Sequence, residues 1–276
     1  MIDKMKFDSL LIDGPYMGMM SHHAPYKLTN SRGLDATLVH GFFKSLNSLN
    51  NKFEPRKIVI AWESYGTSSW RKAAQEDYKE GRTKMAESYW EALKDVQDLV
   101  HLLGVEQFYS PHNEADDVIA TLAKGKSVIF TTDKDLMQLV GDEVVLWNGK
   151  VLFDSDKVEE KYMVRPNQIP DLLAIWGDAS DNIKGVDGFG VVKGSRLLKK
   201  YGSVEGIPED DDVGGYKKQL VFNKKMATLL RDCELKSLPK EKVDSSIDDI
   251  LNKYELKKIR GDVLGFNKKK GLNKWL

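Results

Sequence analysis

Ser127-Val128-Ile129-Phe130-Thr131-Thr132-Asp133-Lys134-Asp135 is a short apolar run that ends, two threonines later, in a pair of carboxylates around a lysine. The same design recurs upstream. Phe7 to Ile12 is an apolar strand candidate closed by Asp13, and Lys57 to Trp62 is closed by Glu63. Val105 to Tyr109 leads to a helix over Glu114 to Lys124 that opens with Glu114, Asp116 and Asp117. Helical patterns fill the gaps. Gly33 to Leu49 carries Leu34, Leu38, Phe42, Leu46 and Leu49 on one face, and a long stretch from about Ser68 to Leu103 also reads helical. Strands alternating with helices predict an α/β fold, a mainly parallel central sheet with helices on both faces.

Downstream, Asp135 to Val140 predicts a short helix. Val144 to Trp147 and Val151 to Phe153 flank Asn148-Gly149-Lys150, a strong hairpin signal. After Asp154 the strand signals fade. Asp154 to Tyr162 and Gln168 to Trp176 read helical, and a glycine-dense turn from Gly185 to Gly194 precedes a helix over Ser195 to Tyr201. The expected division is an α/β core over residues 1–165 and a mainly helical region over 166–276.

Composition bounds the function. The 276 residues hold 42 Lys+Arg against 42 Asp+Glu, a formal charge of zero, which excludes a globally basic nucleic-acid binder but not local basic patches. One cysteine, Cys233, excludes a disulfide framework and any multi-cysteine zinc site. No apolar run approaches the roughly 20 residues that span a bilayer, and Met1 to Lys6 carries no signal-peptide core. The expectation is a cytoplasmic protein. Glu209 to Asp212 and the basic residues Lys257, Lys258, Arg260, Lys268, Lys269, Lys270 and Lys274 read as solvated surface.

In an open parallel sheet, functional residues gather at the carboxyl ends of strands. A lone Asp there is most simply a helix cap, but an acid after nearly every strand is not. Two like charges 4 Å apart cost about 4 kcal/mol at an effective dielectric near 20, so the cluster needs neutralising. Oxygen-only donors suit Mg²⁺ or Mn²⁺. His22 and His23 lack partners at metal-ligand spacing. A carboxylate site for two ions fits in-line phosphoryl displacement.

Ordered motifs then carry a resemblance: Leu11-Ile12-Asp13-Gly14; Trp70-Arg71 and Tyr78-Lys79-Glu80-Gly81-Arg82; Glu114-Ala115-Asp116-Asp117; Thr132-Asp133-Lys134-Asp135-Leu136; Gly177-Asp178-Ala179-Ser180-Asp181-Asn182; and Gly185-Val186-Asp187-Gly188-Phe189-Gly190 with Leu197-Leu198 behind it. Over roughly residues 8 to 205 the chain resembles the 5′ nuclease family of flap endonucleases and 5′→3′ exonucleases, which includes the N-terminal domain of bacterial DNA polymerase I and stand-alone phage enzymes. The resemblance implies a PIN-like nuclease core with two Mg²⁺ or Mn²⁺ ions. One draws on Asp13, Glu114 and Asp116, the other on Asp133, Asp135, Asp178 and Asp181, with Asp117 in support. Glu63 stands where the family usually has Asp, one methylene longer, and Pro15 to His23 lacks an arginine that many relatives carry. The region 68–103 matches a helical arch through which a 5′ single strand passes, with Arg71, Lys79 and Arg82 as catalytic cations and Lys79 and Arg82 on the scissile phosphate.

Residues 172–201 match a helix–three-turn–helix element that grips duplex backbone through Gly185, Gly188, Gly190, Lys193, Ser195 and Arg196 and holds K⁺ on main-chain carbonyls. The implied activity is divalent-metal-dependent hydrolysis at 5′ ends and flaps, leaving a 5′ phosphate and a 3′ hydroxyl, in DNA replication or repair. The implied partners are branched or 5′-ended duplex DNA, an RNA–DNA hybrid, and a replication polymerase or single-strand-binding protein, with the chain a monomer. Two rivals stay open: a PIN-like ribonuclease, which needs no duplex grip, and a non-catalytic binder of branched DNA, which gains nothing from clustered anions.

Overall fold

A computed structural model describes residues 6–64, 67–239 and 242–269. In chain order the elements are β1 Ser9–Asp13, α1 Gly14–His22, α2 Thr37–Phe53, β2 Lys57–Ala61, α3 Trp70–Ala74, α4 Glu87–Leu102, β3 Glu106–Tyr109, α5 Ala115–Leu122, β4 Ser127–Phe130, β5 Val144–Trp147 and β6 Leu152–Phe153. Then come α6 Ser155–Tyr162, α7 Ile169–Trp176, β7 Gly177–Asp178, β8 Ile183–Lys184, α8 Val191–Tyr201, α9 Lys217–Ala227, β9 Lys236–Ser237, α10 Ile247–Lys253 and α11 Arg260–Lys269.

The main sheet runs β6-β5-β4-β1-β2-β3-β9. β1 pairs in parallel with β2 on one side and β4 on the other, so the strand order reverses at β1. Such a switch point opens a crevice beyond the carboxyl ends of the strands, and Asp13 stands in it. Burial follows the two-residue period of a strand. Leu10 and Ile12 join the core that α2, α4, α10 and α11 cover, whereas Leu11 joins the opposite core with α5 to α9. All five residues of β1 are buried, as the centre of a sheet covered on both faces requires.

The predicted strands and the 144–153 hairpin form; Asn148 Oδ1 accepts from the amides of Lys150 and Val151 and Gly149 takes φ +93°. Four expectations need correction. The helix expected from Gly33 begins at Thr37, because residues 29–35 fold back through a bridge between Thr29 and Asp35. The 68–103 stretch is two helices, α3 and α4, separated by a non-helical turn over 75–86. Tertiary bonds explain the break: the Lys79 amide donates to the Asp181 carbonyl and Gln75 Nε2 to the Asn182 carbonyl, while Lys79 takes φ +57°. Strands persist beyond Asp154 as the β7–β8 hairpin and as β9, which pairs with the β3 edge. The glycine turn ends sooner than expected: α8 starts at Val191, leaving Gly194 helical and close to Leu172 Cδ1, 2.9 Å from an ideal Cβ.

Pro15 to His22 lies within α1, whose N-cap is Asp13 and whose C-cap is His23. Among the described residues no helix is long and apolar enough to cross a membrane. Met1 to Met5, Lys270 and Lys274 lie outside the described residues.

Candidate active site

The acids converge at the carboxyl edge of the sheet. Asp13 ends β1; its Oδ1 accepts from the Tyr16 amide at 2.9 Å and its Oδ2 from Thr131 Oγ1 at 2.7 Å. Thr131 follows β4, and its hydroxyl oxygen also accepts from the Asp133 amide at 3.0 Å. One threonine thus fixes the spacing between the acids of two adjacent strands. Asp133 Oδ1 accepts from the Asp135 amide at 2.9 Å, a turn that faces both aspartates into the crevice.

The electrostatics are those of an overcrowded anionic site. Burial, only partly offset by the Tyr16 and Thr131 bonds, raises the Asp13 carboxyl to about 6. Burial raises Glu63 to about 7, with Lys79 opposing and Glu114 and Asp13 reinforcing the rise. Asp116 and Asp135 are held well above the ordinary range by burial first and then by Asp133. Asp133 is itself raised by burial, with the Asp135 amide opposing and Asp181 adding to the rise. The charge of Asp133 is thus felt by Asp13 and Asp116, and Asp133 in turn feels that of Asp181.

On that second side, ligand oxygens of Asp135, Asp178 and Asp181 lie within 4.8 Å of one another. Asp135 Oδ1 is buried with no hydrogen-bond partner. A buried carboxylate oxygen left unpaired is costly, and a hard cation with oxygen ligands satisfies it. The all-carboxylate donor set therefore fits a hard divalent cation such as Mg²⁺ or Mn²⁺.

Cations face these acids from the 75–86 turn. Lys79 Nζ donates to Glu114 Oε1 at 2.9 Å and lies 3.8 Å from Asp181 Oδ2. Its pKa is raised because Glu114, Asp181 and Glu63 outweigh burial. Arg82 Nη2 donates to Asp181 Oδ1 at 2.9 Å while its side chain stays 53% exposed. Glu63 and Arg82 also line a cavity of 910 Å³ with Met19, Met85 and Trp90.

Arg71 and Asp117 are placed differently from the others. Arg71 is 2% exposed and Asp117 fully buried. They form a fork of 2.6 and 2.9 Å, and Arg71 further donates to Glu114 and to the carbonyls of Met226 and Thr228. With its donors consumed, Arg71 positions Glu114 and ties α9 to α5 rather than facing the cleft. Asp117, which also accepts from the Leu230 amide, offers no free oxygen to an ion.

Two residues were given no role by the sequence. Tyr78 Oη donates to Asp181 Oδ2 at 2.7 Å and approaches Glu114 Oε2 at 3.1 Å, joining both acid groups. Lys134 Nζ donates to Asp178 Oδ2 at 2.5 Å, while Ser180 holds Asp178 Oδ1 through its amide and hydroxyl. Burial opposes ionisation of Asp178, but these donors bring its pKa below the ordinary range. Tyr78 and Lys134 both lie inside quoted motifs, yet no spacing rule marks them.

The glycine turn lies beside this edge. At Gly185 an ideal Cβ would fall 2.4 Å from the Trp176 carbonyl, so the hairpin itself demands glycine there. Gly188 takes φ +79°, and Gly190 caps the N-terminus of α8 in open space. Lys193 and Arg196 point outward. Ser195 does not: it is buried, and its hydroxyl donates to the Val192 carbonyl.

Comparison with known proteins agrees with this geometry. Residues 8–163 match the 5′-3′ exonuclease N-terminal, resolvase-like domain, and residues 164–269 the 5′-3′ exonuclease C-terminal SAM fold. A 5′-3′ exonuclease of Aquifex aeolicus is 35% identical over 205 residues, 71% of each chain. Thermostable DNA polymerase I of Thermus aquaticus is 35% identical over 261 residues, 92% of this chain but 29% of the polymerase. The T5 D15 protein, crystallised with metal ions, shares the fold at a TM-score of 0.66 and 19% identity, over 95% of this chain and 97% of that one. The crevice at the switch point of the sheet and both halves of the chain thus lead to one assignment: this protein belongs to the 5′-3′ exonuclease family.

Proposed function

We propose that the protein is a structure-specific 5′ nuclease that hydrolyses phosphodiester bonds of DNA at 5′ ends and flaps near single-strand/duplex junctions, leaving a 5′ phosphate and a 3′ hydroxyl. The observation that carries this reading is the unpaired Asp135 Oδ1 among converging carboxylates, faced by Lys79 and Arg82. Two divalent ions are assigned, one to Asp13, Glu114 and Asp116 with Glu63 nearby, the other to Asp135, Asp178 and Asp181, with Asp133 between them. Bound there, such ions supply an activated water and neutralise charge on the phosphate.

The chain's own residues do the rest. Lys79 and Arg82, on a turn that borders the 910 Å³ cavity, stabilise the charge that develops on the non-bridging oxygens. Tyr78 and Arg71 hold Glu114 and Asp181 in place. Duplex backbone is gripped at Gly188, Gly190, Lys193 and Arg196, where the N-terminus of α8 favours a phosphate. Ser195 serves that grip from within, by packing α8. To the same turn, whose single acid is Asp187, we assign a K⁺ held on main-chain carbonyls. Phosphate contacts of this kind carry no sequence information, which supports recognition of structure. Action as a monomer in the cytoplasm, on primer hybrids as well as DNA and beside a replication polymerase or single-strand-binding protein, belongs to the same proposal.

The test uses a 5′-labelled DNA flap, a nicked duplex and an RNA–DNA hybrid, each with Mg²⁺ and with chelator. Mg²⁺-dependent cleavage at the flap junction is expected. Cleavage of single-stranded RNA in preference to every DNA substrate would instead support the ribonuclease rival, and tight flap binding without any cleavage the non-catalytic one.

A further inference from the structure

Lys134 lies between two acids of the site, Asp133 and Asp135, yet its side chain reaches across to a third. Its ammonium donates to Asp178 Oδ2 at 2.5 Å, and 23% of the side chain is exposed against 7% for Asp178. Asp178 Oδ1 is already committed to Ser180, through the amide at 3.0 Å and the hydroxyl at 2.6 Å. The oxygen that Asp178 can offer to a cation is therefore the one that Lys134 holds. Asp135 and Asp181 complete the group within 4.8 Å, so a dication bound there sits beside the ammonium. Like charges at such spacing repel by several RT even at an effective dielectric near 20. The Trp176 ring, 5.9 Å from Nζ and 39% exposed, offers a second resting place on its π face.

We propose that Lys134 sets the divalent-ion affinity of the Asp135–Asp178–Asp181 group by competing with the ion for Asp178 Oδ2. It acts as a tethered counter-ion: it makes ion binding weaker, and it keeps three crowded carboxylates compatible with the fold. The sign distinguishes this role from a plain positioning role, in which losing Lys134 would loosen Asp178 and weaken the site. The inference rests on the metal reading proposed above.

The test is calorimetric titration of the full chain with Ca²⁺ and no DNA, following the binding component that Asp135→Asn removes. Lys134→Met should tighten that component by about tenfold, and Lys134→Arg, which keeps the charge, should stay within about threefold of the parent. In an Asp178→Asn background the gain from Lys134→Met should vanish, because no shared oxygen remains. Equal or weaker Ca²⁺ binding by Lys134→Met overturns the proposal and leaves the metal reading standing. A gain that persists with Asp178→Asn also overturns it, since the lysine charge would then act at a distance. Absence of any Asp135-dependent component in the folded parent and in Lys134→Met overturns both.

Discussion

Arg71→Met should destabilise the protein severely, because the side chain is a structural fork and not a substrate contact. The guanidinium is 2% exposed and pairs with an Asp117 that is fully buried. Removing one partner of a buried ion pair costs about 3–5 kcal/mol, since the other charge stays behind uncompensated. The carbonyls of Met226 and Thr228 lose donors at 2.7 and 3.0 Å, adding about 1 kcal/mol each where water cannot replace them. Against a total stability of about 5–15 kcal/mol, this takes the chain close to its folding threshold.

Urea unfolding followed by circular dichroism reads the loss. Arg71→Lys is the companion variant, because an ammonium cannot reproduce the 2.6 and 2.9 Å fork; it should lose about 1–3 kcal/mol and remain measurable. Arg71→Met combined with Asp117→Leu removes both charges and should cost less than the sum of the single changes, with a coupling of about 2 kcal/mol or more. A loss below about 1 kcal/mol for Arg71→Met, or a large cleavage defect at unchanged stability, would show that the side chain serves the substrate instead.

Three further outcomes follow from the site. In chelator, the raised carboxyls make the fold less stable as pH rises: the contribution of Asp13 is lost between 3.8 and about 6 and that of Glu63 between 4.5 and about 7. Added Mn²⁺ should therefore raise the melting temperature more at about pH 7.5 than at about pH 5.5, as differential scanning fluorimetry would report; the opposite order contradicts the assignment. Lys79→Ala and Arg82→Ala should each slow single-turnover flap cleavage by roughly tenfold or more while duplex affinity changes little; weak binding with normal saturated cleavage would refute that role. Lys193→Ala and Arg196→Ala should each lower the slope of log K against log salt by about one unit, and an unchanged slope would make α8 merely structural.

The acid-bearing edge was legible because Asp13, Glu63, Asp133 and Asp135 close or soon follow an apolar run, and such runs survive as central strands whatever packs on them. Asp13, Asp133 and Asp135 were therefore placed by chain position alone. Asp178 and Asp181 stood out as acids but had no predicted strand to close, since the two-residue strands of β7 and β8 are too short to leave a period; only the family motif gave them a place at the site. The break at residues 75–86 was not legible at all. It depends on the Lys79 amide meeting the Asp181 carbonyl, a pairing of residues far apart in the chain. The same holds for Arg71: its sequence neighbours suggest a basic helix, and only the carbonyls of Met226 and Thr228 and the carboxylate of Asp117 reveal a buried fork. Ser195 shows the reverse error, a polar residue in a binding motif whose hydroxyl turns inward to the Val192 carbonyl.

The most direct measurement of the central claim is single-turnover cleavage of a 5′-labelled flap in Mg²⁺ by the parent, Asp116→Ala and Asp133→Ala, with folding checked by circular dichroism. Each substitution relieves mutual repulsion among acids that burial already disfavours, so both variants should fold at least as stably as the parent. Cleavage should collapse in both, and in the parent when the metal is chelated. Near-parental turnover in either folded variant, or in excess chelator, would contradict a carboxylate-held metal centre.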